Sequence, residues 1–189
     1  MKKAAIVTCV CAAFVLAVAE PSAIRQDKPD PKATQKGSAE DASFVFSKIL
    51  PKLRRNSGVP PRLPSYLPDV DRNSEVYATL GSANSSGYGI ILGSVPDCEG
   101  QNVCLYGSLG GSTAPIKLGK SRGVPVKLQE GIQGRFFDSE CFAYCNESYV
   151  TWSEDGFYYA IGIKAGKKDE LIRIANSAIA AGKKQPQAP

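Results

Sequence analysis

The dipeptide Asp155-Gly156 restricts the fold of this chain more than any other feature. It separates two alternating runs, 149–154 and 157–163. Asp-Gly suits a two-residue type I′ turn, which needs positive φ at both positions. With that turn, Glu154 faces Phe157, Trp152 faces Tyr159 and Val150 faces Ile161. Period-two geometry then puts Val150, Trp152, Phe157, Tyr159, Ile161 and Ile163 on one face. Tyr149, Thr151, Ser153, Tyr158, Ala160 and Gly162 fall on the other. The first set reads as core. Behind the hairpin, Leu171, Ile174, Ala175, Ala178 and Ile179 recur at helical spacing within 167–181. Asp169 and Glu170 suit the first turn of that helix, and Gly182 is placed to close it. Its apolar stripe is expected on the Trp152 face.

Upstream, short stretches at 75–80, 88–92, 104–109, 125–129 and 133–138 are separated by Gly, Asn, Asp and Ser, and read as strands. Asp41 can cap a short helix through Ala42, Phe44, Val45, Ile49 and Leu50, which Pro51 should kink or end. Residues 59–68 contain Pro60, Pro61, Pro64 and Pro68, and must be extended. Leu63, Tyr66 and Leu67 are expected to pin this segment along the core; the alternative is a Pro-rich ligand for an aromatic groove. Strands followed by a helix give an α+β fold: an antiparallel sheet of short strands, with a short N-terminal helix and a C-terminal helix packed on the sheet.

The N-terminus specifies a compartment. Lys2 and Lys3 precede an apolar run over 4–18, and Ala17-Val18-Ala19 is a small-x-small site before Glu20. That order is a secretory signal peptide, 1–19, and the run is too short to span a bilayer comfortably. Thr8 and Val10 are poor residues to precede a lipidated Cys9 or Cys11. Residues 20–40 are polar and proline-rich, a tether without enough apolar surface to fold. A single domain over 41–181 and a short tail, 182–189, complete the chain. Cleavage removes Lys2 and Lys3 and no acid, lowering the net charge from +5 to +3, which gives no reason to invoke nucleic acid. Four cysteines remain: Cys98, Cys104, Cys141 and Cys145. In an exported chain they read as two disulfides. The short spacings favour Cys98–Cys104 and Cys141–Cys145, each pinching one loop; a pair of cross-links joining the two loops is the alternative. Zinc is a poor rival, because the chain has no histidine and C-x3-C is not the usual zinc spacing.

Several segments together resemble a bacterial exported domain family of unknown function. They are Leu63-Pro64-Ser65-Tyr66-Leu67-Pro68, Thr151-Trp152 before an acidic-Gly turn, Tyr159-x-Ile161-Gly162, and Glu170-Leu171 with Ala175-Asn176-Ser177. That family occurs in cell-envelope proteins, and this version looks similar to cyanobacterial secreted proteins. The likeness spans roughly residues 48–180. It implies export and an α+β fold, and it supplies no activity.

The chemistry of the chain is sparse. Without histidine, Ser-His-Asp, Cys-His and His-based metal sites are absent, and no Ser-x-x-Lys occurs. No catalytic residue, metal site or cofactor is expected. Glu154 and Asp155 are the nearest candidate pair for a carboxylate-dependent hydrolase of cell-wall glycan, but an Asp before Gly is explained by the turn itself. The glycine-rich stretches 87–89 and 107–112 open no helix, so they read as turns or bulges rather than phosphate cradles. Lys48, Lys52, Arg54 and Arg55 form a basic cluster: a solvated helix end on the plain reading, a contact with anionic lipid or polymer on the sharper one. Tyr149 and Tyr158, near Tyr144 in the cysteine loop, can present aromatic rings to a sugar or a partner protein. The competing expectation is that a second sheet or the 60–68 segment covers them. The reading is a monomeric, non-enzymatic binding or interaction domain, periplasmic or secreted, with an envelope component or protein as partner. Intact-mass spectrometry without reductant is expected to find a chain starting at Glu20 with its four cysteines oxidised. Four free thiols would overturn both the disulfides and the compartment.

Overall fold

A computed structural model describes residues 42–69, 75–118, 123–141, 143 and 145–184. The export segment, the tether, Asp41, Tyr144 and the tail beyond residue 184 lie outside the described residues. Seven strands form one open antiparallel sheet: β1 (Tyr77–Asn84), β2 (Gly87–Gly93), β3 (Leu105–Ser112), β4 (Val124–Lys127), β5 (Gln133–Phe137), β6 (Glu147–Glu154) and β7 (Phe157–Lys164). Their spatial order is β1-β2-β3-β7-β6-β5-β4. Two meanders, β1–β3 and β4–β7, therefore meet at a β3–β7 seam. Helix α1 (Leu50–Asn56) lies against β1, and α2 (Lys168–Lys184) packs on β6 and β7. Short 3-10 turns occupy Ala42–Phe46 and Gln129–Gly131.

The C-terminal hairpin has the register set by its turn. Glu154 pairs with Phe157, Trp152 with Tyr159 and Val150 with Ile161. Asp155 and Gly156 have φ of 53° and 81°, both positive, as type I′ requires. Val150, Trp152, Tyr159, Ile161 and Ile163 are buried, and Trp152 stacks on Tyr159 with centroids 5.3 Å apart. The helical stripe Leu171, Ile174, Ala175, Ala178 and Ile179 is fully buried. Tyr88, Ile90, Leu92 and Leu109 continue the same core across β2 and β3.

Strand ends shift by a few residues, with the glycine-rich 87–89 and 107–112 lying inside β2 and β3 rather than in turns, and three further differences each have a local reason. Pro51 does not end a helix; it sits in the first turn of α1 and opens it. The first-turn N–H groups have no helical acceptor, so a missing one costs nothing there. Gly182 does not close α2, which runs on to Lys184. Its lack of a side chain serves packing, since a Cβ there would lie 2.5 Å from the Arg62 Cδ. The fourth strand ends at Lys127 because residues 129–131 form a 3-10 turn. The Gln129 N–H donates to the Asn176 Oδ1 of α2 at 2.8 Å.

The 59–68 segment cannot join a ladder, since its prolines donate no N–H. Apart from the Ser65 carbonyl, which accepts from the Ala42 N–H at 2.9 Å, it is held through side chains. Leu63 and Leu67 are buried, as expected. The Arg62 N–H donates to the Tyr88 hydroxyl at 2.9 Å, the Tyr159 hydroxyl donates to the Pro60 carbonyl at 3.2 Å, and the Tyr106 hydroxyl donates to the Pro68 carbonyl at 2.5 Å. The Tyr66 N–H donates to Ser177 Oγ of α2, and the Arg173 guanidinium lies 3.7 Å from the Tyr66 ring centroid. Three tyrosine hydroxyls thus replace the ladder. The Arg62 side chain, 4% exposed, pairs with Glu154 at 2.9 Å and Asp155 at 3.5 Å, tying the segment to the hairpin turn.

Removing one partner of a buried ion pair strands the other charge, which costs about 3 kcal/mol or more. Arg62→Ala is therefore expected to lose at least that in urea denaturation. The double variant Arg62→Met/Glu154→Met should recover most of it. Equal losses in both would show that the pair is not what secures the segment.

Candidate functional site

The face of the sheet opposite α2 carries the candidate site. Antiparallel register fixes its rows. Gly110, Ala160, Thr151 and Arg135 lie side by side across β3, β7, β6 and β5. Ser108, Gly162, Tyr149 and Phe137 form a second row, and Ser112, Tyr158 and Ser153 a third. Small side chains on β3, with Ala160 and Gly162 of β7, make a low floor, and larger ones rise from Tyr158 of β7 and from β5 and β6.

Of the three tyrosines singled out above, Tyr144 lies outside the described residues. Tyr149 lies flat over Gly162, where a Cβ would approach its ring to 2.3 Å. Its hydroxyl donates to Glu147 at 2.5 Å, and Ser108 donates to the other Glu147 oxygen at 2.7 Å. Burial, together with the Glu147 carboxylate, pushes the Tyr149 hydroxyl up to about 12. Tyr158 is half-buried and faces a cavity of about 270 Å³ with Ile116, Gln133, Arg135, Phe137 and Ser153. Four residues of strand separate the Tyr158 row from the Tyr149 row, about 14 Å along the sheet. The two tyrosines share a face but do not form one aromatic cluster.

The cavity wall follows from the topology. Every connection within a meander is a hairpin, but the chain must pass from β3 in the middle of the sheet to β4 at its edge. Four strand spacings come to about 19 Å, well within reach of residues 113–123. Pro115 and Ile116 of this crossover lie beside Gln133, Arg135 and Phe137. The Arg135 guanidinium donates to the Gly123 carbonyl at 3.1 Å, and a Cβ on Gly123 would meet the Phe137 ring at 3.0 Å. Arg135, Phe137 and Gln133 were missed in the sequence. Their alternation with buried Gly134 and Phe136 marks the face they share, but the loop 138–146 has no turn signal to fix the β5–β6 register.

The disulfides pair locally, Cys98 with Cys104 and Cys141 with Cys145. The first closes the loop between β2 and β3, which folds onto the end of this face. A Cβ on Gly93 would lie 2.3 Å from the Cys98 Cβ, and Gly100 sits beside Ile91. Lys164 anchors this loop by donating to the Asn102 carbonyl at 2.5 Å. The second closes the β5–β6 loop, where Cys141 is exposed. Two disulfides indicate an oxidising, extracytoplasmic compartment. The 60–68 segment does not cover the tyrosine face, since it is bound on the core side. Among the described residues, the cover is limited to the first disulfide loop and the crossover.

Glu154 and Asp155 both meet the Arg62 guanidinium, and the Glu154 side chain is only 8% exposed. A sugar has no approach to that carboxylate. A second cavity, about 540 Å³, opens at the other end of the sheet between Pro68, Tyr106, Cys145, Ile163 and Gly166. Among the described residues, no group of three or more Cys, Asp or Glu side chains could hold a metal ion, and no helix is long and apolar enough to cross a membrane. Comparison with protein-family models, with curated proteins and with solved structures finds no match to this chain.

Burial pushes Tyr159, like Tyr149, up to about 12, against an ordinary value of 10.0. The folded state therefore holds these protons after the unfolded chain has lost them. Stability from both is intact below pH 10 and falls as pH rises toward 12. Urea midpoints measured along an alkaline series are expected to drop across that window. The tyrosinate absorbance of the folded protein should lag that of the unfolded protein; coincident curves would contradict the burial argument.

Proposed function

We propose that this chain is an exported, non-enzymatic binding domain that holds an envelope glycan on the tyrosine face of its sheet. The observation that carries this reading is the cavity beneath Tyr158. Its lining combines the aromatic residues Tyr158 and Phe137 with the polar residues Gln133, Arg135 and Ser153. Rings that stack and planar polar groups that donate in fixed directions suit a polyhydroxylated ring. At about 270 Å³ it lies at the small end of ligand sites, so it fits one sugar unit or a chain end rather than a long polymer.

Three further features support the reading. The chain opens on a secretory signature, so its product is periplasmic or secreted. Its likeness to exported envelope domains points the same way. The candidate carboxylates are held by Arg62, which favours binding over hydrolysis. The domain acts as a monomer and needs no cofactor.

Trp152 is the single tryptophan of the chain; its ring is buried against Tyr159 on the core side, while its strand position lies between the cavity-lining Thr151 and Ser153. Its fluorescence is expected to shift on titration with soluble peptidoglycan fragments, and the protein should sediment with purified cell-wall sacculi. Tyr158→Ala/Phe137→Ala should weaken both by about tenfold, from two lost stacking contacts. Tyr149→Phe, two rows from Tyr158 and not part of the cavity lining, should leave them unchanged. No shift and no sedimentation would end the glycan reading. Release of reducing sugar would overturn the non-enzymatic part of it.

A further inference from the structure

The charge of this chain is unevenly distributed. Residues 42–68 hold five of its 23 cations and none of its 18 acids, so the rest of the chain is neutral overall. One of the five, Arg62, is buried and paired. Lys48, Lys52 and Arg55 are exposed, at i, i+4 and i+7. Lys48 lies in the turn that leads into α1, where Ile49 already has helical dihedrals, and Lys52 and Arg55 follow within α1 itself, three residues apart. Residues at this spacing share a side of a helix, and like charges there repel. Among the described residues, none of the three has an acidic partner. The opposite side is fully used by the domain itself: Val45, Phe46 and Leu53 are buried, with Ile49 and Leu50 packed beside them. The cations are therefore held outward on a firmly seated element.

We propose that the 44–55 segment is an electrostatic docking surface for a bilayer rich in anionic phospholipid. Two features favour a bilayer over a soluble anionic polymer. Phe44, a turn before Lys48, is an exposed large apolar side chain, and Pro51 is exposed between Lys48 and Lys52. Apolar groups among cations can enter the headgroup boundary while the cations meet phosphates. Lys52 and Arg55 also project together from one side of α1, and Lys48 from the turn just before it, a layout suited to a flat surface. The surface would set the domain against a membrane without any spanning segment, and it acts independently of the glycan cavity.

Each cation near an anionic leaflet strengthens partitioning roughly fivefold, so three together contribute about 100-fold, and salt screens the effect within a Debye length. The test is vesicle co-flotation of the full exported chain. Vesicles containing phosphatidylglycerol should carry it up, pure phosphatidylcholine vesicles should not, and binding should fade as salt is raised. Lys48→Gln/Lys52→Gln/Arg55→Gln should weaken flotation about 100-fold, with Trp152 fluorescence and the thermal midpoint unchanged. Lys48→Arg/Lys52→Arg should retain it, and Phe44→Ala should reduce it. Equal flotation on both vesicle types, or salt-insensitive binding by the wild type, overturns the proposal. So does an unaffected triple variant. Binding to soluble polyphosphate without flotation also overturns it and assigns the patch to a polymer. Loss of sacculus binding alone, with flotation kept, would sink the glycan reading and leave this one standing.

Discussion

The fold hinges on one buried guanidinium. Arg62 brings together three parts of the chain that have no ladder in common: the proline-rich segment, the tip of the last hairpin and the end of α2, where Gly182 makes room for it. Burial by itself would lower its proton affinity. The Glu154 hydrogen bond, the Tyr159 ring beneath it and the Glu154 and Asp155 charges more than offset that, so its affinity is raised and Arg62 stays charged. A paired buried charge adds little net stability, but it punishes any arrangement in which the partners separate. That asymmetry secures a segment whose prolines deny it ordinary backbone bonding.

With the segment secured, the two faces of the sheet part company. One face is consumed: α2 covers β6 and β7, while α1, the first 3-10 turn and the proline-rich segment complete the core over β1–β3. The other face receives only loops. Small residues keep β3 and the Ala160–Gly162 part of β7 low there, the first disulfide loop closes one end, and the crossover stands beside Tyr158. A concavity on a rigid sheet is a by-product of that unequal covering, and it needs no mobile element to exist.

How much of this was readable in advance varied with the range of the interaction. The last hairpin followed from Asp155-Gly156 alone, because a two-residue turn dictates register and alternation does the rest. The α2 stripe and both disulfides followed from spacing within a few residues. Pro51 and Gly182 were misplaced for a different reason: each has two local meanings, and tertiary packing selects between them. Tyr149 and Tyr158 share the face that alternation assigns them, but the β5 residues beside them are not legible in the sequence. Arg135 and Gln133 reach Tyr158 only through a register set across the 138–146 loop and a crossover of four strand positions. Arg62 carried no signal at all, since nothing in a proline-rich stretch announces a partner some ninety residues away.

The order β1-β2-β3-β7-β6-β5-β4 also bears on how the molecule comes together. Each meander pairs only neighbours in sequence, so each can assemble with little loss of chain freedom. The seam between β3 and β7 joins residues such as Leu109 and Ile161, about fifty apart. Its closure is the expensive step, and it also brings Arg62 to Glu154. Residues 77–112 arrive in the oxidising compartment ahead of residues 124–164 when the chain crosses N-terminus first, so the edge of β3 is bare until β7 arrives. The oxidised loop between β2 and β3 stiffens that waiting half against pairing with the wrong strand.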